Sequence, residues 1–216
     1  MVPRMLTVNE IFHSVQGEST HAGRPCVFVR LTGCNLRCVW CDTAYAFHEG
    51  RPMSVDEVVE KVAAYGCDLV EITGGEPLLQ ADSIPLMREL RRRGHSVLVE
   101  TGGSLPIDAI PQGVGRIVYI KCPGSGEVER NHWENLDDLR PGDELKFVLA
   151  DRADYCWASR QIDSRELGRR CPLLFSPVHG AIDPAELVRW VLEDGLPVRV
   201  QLQLHKILWP GVERGV

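Results

Sequence analysis

Long apolar runs are missing from this 216-residue sequence. It has no stretch of about 18 apolar residues, the length that spans a bilayer. The N-terminal MVPRMLTVNE also lacks the apolar core of a signal peptide. These absences set the expectation of a cytoplasmic protein with no membrane partner. Positive charge is in short supply too: 24 Lys and Arg face 30 Asp and Glu, a formal net charge of -6. That is the wrong sign for gripping phosphate backbones and argues against nucleic acid as a partner. The densest basic run, Arg88 with Arg91, Arg92 and Arg93, closes a predicted helix, where cations complement the helix dipole. No internal repeat, low-complexity tract or linker divides the chain, so one domain over residues 1–216 is expected. With 44% hydrophobic residues, a chain of this length can bury a substantial core.

Against those absences stand short apolar, β-branched runs at 26–31, 68–73, 96–101, 116–121, 144–149, 171–176 and 197–204, which read as buried strands. Helical segments are expected at 54–65, 82–93, 152–161 and 184–193, the first opening on the capping box Ser54-x-x-Glu57. Alternation of strand and helix predicts an α/β fold with a mostly parallel sheet. The chain is short for a full eight-fold barrel of about 250 residues. An incomplete, open (β/α) barrel fits better, with its ligand site at the carboxyl ends of the strands.

Eight cysteines are present. In a chain expected to be cytosolic, clustered thiols point to metal binding or chemistry rather than disulfides. Cys34, Cys38 and Cys41 cluster directly after a predicted strand, whereas Cys26, Cys67, Cys122, Cys156 and Cys171 sit singly and read as small hydrophobes. Soft thiolates favour zinc or iron–sulfur clusters. A structural zinc site usually takes four ligands from two spaced pairs. No second CxxC follows, although His48 keeps a zinc or other non-catalytic metal protein open as an alternative. Three cysteines around a cubane of four irons leave one iron open to chelate the amino and carboxylate groups of S-adenosylmethionine.

This CxxxCxxC arrangement resembles the signature of the radical S-adenosylmethionine superfamily, whose members cleave that cofactor to a 5'-deoxyadenosyl radical. Trp40, before the last cysteine, resembles the superfamily's adenine contact. Thr73-Gly74-Gly75-Glu76-Pro77 is similar to the motif that binds the methionine amino group. The resemblance implies cofactor contacts at Trp40, Asp42, Gly74, Gly75, Glu76 and Lys121, and at Ser176, Val178 and His179 in the turn after another predicted strand.

Three further stretches narrow the likeness: Phe12-His-Ser-Val-Gln-Gly-Glu-Ser-Thr20 followed by Arg30, then Trp40-Cys-Asp-Thr43, and Asp143-Glu-Leu-Lys-Phe147. Together with Gln203-Leu-His-Lys-Ile-Leu-Trp209, they resemble the 7-carboxy-7-deazaguanine synthase family over nearly the whole chain. That resemblance implies conversion of 6-carboxy-5,6,7,8-tetrahydropterin to 7-carboxy-7-deazaguanine with loss of ammonia, a ring contraction on the path to queuosine. No catalytic side chain is expected beyond the cluster and cofactor. By the same resemblance Gln16, Gly17, Glu18, Arg30 and Thr73 hold the pterin. An arginine pairs bidentately with a carboxylate, and a glutamate accepts from an amino-pyrimidine edge. Thr43 resembles the residue through which the family holds magnesium, a hard cation that prefers oxygen. The likeness further implies a homodimer and an electron donor such as flavodoxin or ferredoxin. The rival within the enzyme class is a glycyl-radical activating enzyme, which shares CxxxCxxC but acts on a protein.

Overall fold

The computed structural model describes residues 4–216, so the start of the segment MVPRMLTVNE, residues 1–3, lies outside the described residues. Two antiparallel strands, β1 (Met5–Val15) and β2 (Pro25–Leu31), come first, and β3 (Arg51–Ser54) returns to the free edge of β1. Alternation then sets in with α1 (Val55–Ala63), β4 (Leu69–Gly74), α2 (Ser83–Arg92) and β5 (Ser96–Thr101). Next come β6 (Gly115–Ile120), β7 (Glu144–Leu149), α3 (Arg152–Ser164), β8 (Leu173–Pro177) and α4 (Pro184–Asp194). Two short elements follow, β9 (Arg199–Val200) and α5 (Leu204–Leu208).

The strands form one sheet in the order β3-β1-β2-β4-β5-β6-β7-β8-β9, parallel from β2 onward. Its end strands, β3 and β9, do not pair, so the sheet is an open barrel rather than a closed one. Both faces are covered, as a parallel sheet requires. The helix side is an apolar cluster that includes Val58, Val62, Leu86, Leu90, Ile162 and Leu187. The concave side starts with a smaller cluster of Phe12, Cys26, Phe28, Leu69, Leu98 and Ile117.

Side chains on a strand alternate between faces with period two. One step beyond Phe28, Leu69, Leu98 and Ile117 on the concave face therefore come Arg30, Glu71, Glu100 and Tyr119. Lys146 joins them from β7, where it pairs in register with Tyr119. The concave side thus changes from an apolar floor to a polar layer in a single residue step toward the carboxyl ends of the strands.

Local signals explain the first helix. Ser54 accepts from the Glu57 amide at 3.2 Å, and the Ser54 amide donates to the Glu57 carboxylate at 2.6 Å, which completes the capping box. The crossover β6–β7 contains three short 3-10 turns instead of an α-helix, and the crossover β5–β6 only turns and bends. They are tied by the buried pair Arg116–Asp143, which also receives the Arg140 amide at 2.6 Å.

Two features differ from the sequence expectation. β1 and β3 were not foreseen, because their partly polar residues belong to the antiparallel edge of the sheet. The expected strand at 197–204 shortens to Arg199–Val200. After the Gln201 amide reaches Phe175 O at 3.0 Å, the chain leaves the sheet and the Leu204 amide donates to Gly17 O at 3.1 Å. That contact starts α5 over the concave side.

Candidate active site

A cavity of about 770 Å³ opens at the carboxyl ends of the strands, a volume suited to small organic ligands. Gln16, Gly17, Glu18, Arg30 and Thr73, the five residues expected to hold substrate, all line it. So do Cys38, Cys41, Trp40, Asp42, Thr43, Gly74, Gly75, Lys121, Val178 and His179. Cys34, Glu76 and Ser176 stand behind that lining.

The polar layer is joined by hydrogen bonds. Lys146 is fully buried and donates to the Glu18 carboxylate, to Glu100 Oε1 at 3.1 Å and to Tyr119 Oη at 2.6 Å. Three acceptors match the three protons of its ammonium group. Tyr119 in turn donates to Glu100 Oε1 at 3.0 Å, and Thr73 Oγ1 reaches Glu100 Oε2 at 3.4 Å. Gln16 is fixed in one orientation: its Nε2 donates to Glu71, and its Oε1 accepts from the Glu18 amide at 2.8 Å.

Burial raises the Glu18 carboxyl above its ordinary range, with Lys146 opposing. It raises Glu71 well above that range, reinforced by the charge of Glu100. Burial acts the same way on Glu100, but the Lys146 ammonium and the bonds from Lys146 and Tyr119 outweigh it and hold that carboxyl low. Lys146 resists its own desolvation because Glu100 and Glu18 keep its ammonium protonated well above the usual lysine range. One oxygen of Glu18, Oε1, is buried with no hydrogen-bond partner among the described residues. Since Glu18 lines the cavity, that oxygen is available to a donor on a ligand.

The thiol loop sits above this layer. Cys34, Cys38 and Cys41 are free and half-buried. Burial is the largest influence on Cys34 and Cys38 and pushes both thiols up, while Lys121 opposes it. Among the described residues no group of three His, Cys, Asp or Glu side chains closes on one metal-ion position. Three thiols spread along one loop with a cation beside them suit a multi-atom cluster better than a lone zinc. His48, the possible fourth zinc ligand, is exposed and lies edge-on to Phe47.

The glycine motif explains how that loop is held. A Cβ on Gly75 would run into Gly33 O and the Cβ of Cys34, so only glycine lets the end of β4 touch the thiol loop. The Glu76 amide donates to Gly33 O at 2.7 Å. The Glu76 side chain points away from the cavity. Its carboxylate accepts from Leu78 N at 3.0 Å, Thr101 Oγ1 at 2.9 Å and Gly102 N at 2.7 Å, and so clamps the end of β4 to that of β5. The motif faces the cavity with backbone, at Gly74 and Gly75. Ser176 is buried with its hydroxyl unpartnered among the described residues.

Glu71, Glu100, Tyr119 and Lys146 were not singled out as site residues from the sequence, nor were Glu10, Tyr45, Gln203, His205 and Lys206. The first four carried a usable signal: ionisable or phenolic groups inside otherwise apolar strands stay buried only where partners hold them. Asp42 is held by Lys206 Nζ at 2.8 Å and Gln203 Nε2 at 3.3 Å. Thr43 Oγ1 lies 3.8 Å from Cys41 Sγ.

Residues 28–116 match the family profile described as the Radical SAM superfamily. The chain is 47% identical to 7-carboxy-7-deazaguanine synthase of Koribacter versatilis, over 98% of this chain and 100% of that one. It is 46% identical to the enzyme of the same name from Chlorobaculum tepidum, over 98% and 97% of the two chains. In fold it is similar to the crystal structure of QueE from Escherichia coli, with a TM-score of 0.73 at 22% identity over 92% of this chain and 94% of that one. The structure of Streptococcus suis SuiB bound to S-adenosylmethionine shares the fold with a TM-score of 0.58 at 13% identity, covering 84% of this chain and 51% of that one. Its motifs, open sheet and full-length relatives agree, and the chain belongs to the 7-carboxy-7-deazaguanine synthase family of radical S-adenosylmethionine enzymes.

Proposed function

We propose that this chain converts 6-carboxy-5,6,7,8-tetrahydropterin to 7-carboxy-7-deazaguanine with release of ammonia. Substrate and products balance without net oxidation or reduction, which agrees with a cofactor that is regenerated. The observation that carries the reading is that Arg30, Glu18 and Glu100 line one cavity, with Cys38 and Cys41 of the thiol loop on its rim. A pterin acid presents a carboxylate at one end and an amino-pyrimidine edge at the other. Arg30 suits the first, and the free oxygen of Glu18 suits the second.

The superfamily implies a 4Fe–4S cluster and S-adenosylmethionine, and the three free thiols beside Lys121 fit that donor set. In this reading Cys34, Cys38 and Cys41 would ligate the cluster, and the cluster with its cofactor would supply hydrogen abstraction from the pterin carbon that bears the carboxylate. The backbone of Gly74 and Gly75 receives the methionine end of the cofactor, and Trp40, Asp42, Lys121, Val178 and His179 border the rest. Glu76 acts from behind by fixing the ends of β4 and β5, and the Ser176 hydroxyl, unpartnered among the described residues, is left for the cofactor. Gln16, Gly17, Glu18, Arg30 and Thr73 orient the pterin, while Lys146 holds the Glu100 carboxyl low and opposes the burial that raises Glu18. Thr43 offers an oxygen toward magnesium, which would neutralise the substrate carboxylate.

A homodimer, an external reductant such as flavodoxin or ferredoxin, and a reducing cytoplasmic setting complete the proposal, with residues 1–216 acting as one domain. The eight unpaired cysteines agree with that setting. No helix among the described residues is long and apolar enough to cross a membrane.

The test is an anaerobic assay of the reconstituted protein with S-adenosylmethionine, reductant, magnesium and the carboxytetrahydropterin. Product with the mass and absorbance of the deazaguanine acid is expected, at a rate that falls when magnesium is left out. Cofactor cleavage without that product would defeat the substrate assignment, and stoichiometric zinc in place of iron would defeat the reaction class.

A further inference from the structure

Glu10 collects three parts of the chain on one carboxylate. It lies on β1, next to the shift in register between Val8 and Glu10 and directly across from Arg30 on β2. Arg30 Nε donates to its Oε1 at 2.7 Å, with both side chains little exposed, at 12% and 17%. Tyr45, just past the thiol loop, donates its hydroxyl to the same oxygen at 2.8 Å. The Gly215 amide donates to the other oxygen, Oε2, at 3.2 Å.

The segment 209–216 is therefore drawn back over the cavity, which Trp209, Gly211, Glu213 and Val216 help to line. Arg214 reinforces it by lying over the Tyr45 ring at 4.1 Å and pairing with Glu49 at 2.8 Å. The guanidinium of Arg30 has a side edge at Nε and an end edge at its two terminal nitrogens. Glu10 occupies only the side edge. Among the described residues the terminal nitrogens have no hydrogen-bond partner, and Arg30 lines the cavity. Phe12 and Tyr45 flank the guanidinium at 5.7 and 5.9 Å and keep it from swinging aside.

We propose that Glu10 is a positioning residue: it aims the terminal nitrogens of Arg30 at the substrate carboxylate and, through Gly215, holds residues 209–216 over the bound ligand. This rests on the reading that Arg30 receives that carboxylate. Pre-aiming matters because a charge-assisted bidentate pair depends on both angle and distance.

The test uses the reconstituted holoenzyme with S-adenosylmethionine under anaerobic conditions and compares binding of 6-carboxypterin with that of pterin, which lacks the carboxylate. Wild type should prefer the carboxylated ligand. In Glu10→Ala that preference should fall by about tenfold, beyond any loss common to both ligands from release of 209–216, and amide exchange in 209–216 should accelerate. In Glu10→Gln the amide oxygen still accepts from Arg30 and Tyr45, but its NH2 group meets the Gly215 N–H. That variant should keep most of the preference while losing protection of 209–216.

A general loss of structure would lower both affinities together, so the ratio isolates positioning. Wild-type preference retained in Glu10→Ala would overturn the role toward Arg30, and unchanged exchange in both variants would overturn the hold on 209–216. If wild type itself binds both ligands equally, the Arg30 reading fails instead. If Glu10→Ala does not fold, the Gln variant still decides: exchange at wild-type rates would refute the hold on 209–216, and a lost preference would refute the part played by the amide oxygen.

Discussion

Lys146 is the residue on which the polar layer turns, because it is fully buried and spends all three protons on Glu18, Glu100 and Tyr119. Replacing it with methionine keeps most of the volume but strands two carboxylates. Lys146→Met should therefore cost about 3–5 kcal/mol, read by denaturant unfolding at neutral pH. A cost near zero would mean that Glu18 and Glu100 find water instead. Glu71 behaves in the opposite sense. Its carboxyl titrates well above the ordinary value in the folded chain, so between those two pKa values the folded state binds more protons than the unfolded. Stability contributed at that site consequently falls as pH rises through the window. Glu71→Gln should raise the melting temperature more at pH 8 than at pH 5, and a variant less stable at pH 8 would show that ionised Glu71 is held by its cationic neighbours. Neither residue was conspicuous in the sequence. Leu69-Val-Glu-Ile-Thr73 reads as an apolar strand with one polar interruption, and only the register of β4 beside β5 reveals that Glu71 and Glu100 face the same cavity.

Elements were more legible than single residues, and for a physical reason. β2, β4, β5, β6, β7 and β8 are buried on both faces, so each appears as a nearly continuous apolar run, and α1, α3 and α4 open on capping side chains, Ser54, Asp151 and Asp183. β1 escapes because its interruptions, Asn9, Glu10 and His13, belong to the antiparallel edge and to the Glu10 junction. The stretch 197–204 misleads because a tertiary contact with Gly17 overrides its strand propensity. The turn after β4 is where an element meets the chemistry. Gly75→Ala must push back Gly33 and Cys34 while leaving both apolar clusters untouched. The variant should hold far less iron per chain after reconstitution yet keep the wild-type far-ultraviolet spectrum. Full iron content would show that the loop can yield without losing its ligand geometry.

At the scale of the whole molecule, the thiol loop and the core are separate. Neither apolar cluster contains Cys34, Cys38 or Cys41, and the sheet continues from β3 to β9 without them. Many small metal domains unfold when their ion is removed. Here, chelation of iron under anaerobic conditions should leave a chain that still melts in one cooperative step, with its melting temperature moderately lowered. A broad transition without cooperativity would show that the metal holds the fold together.

The tie between Glu10 and residues 209–216 also bears on the order of events during synthesis. The loop 34–41 leaves the ribosome long before the segment that folds back over it, since translation delivers the N-terminal part first. For that interval the three thiols lie at an open rim, within reach of an iron donor and equally of oxygen. Once the later segment is released and finds Glu10, assembly of the metal centre has to proceed through a narrower door.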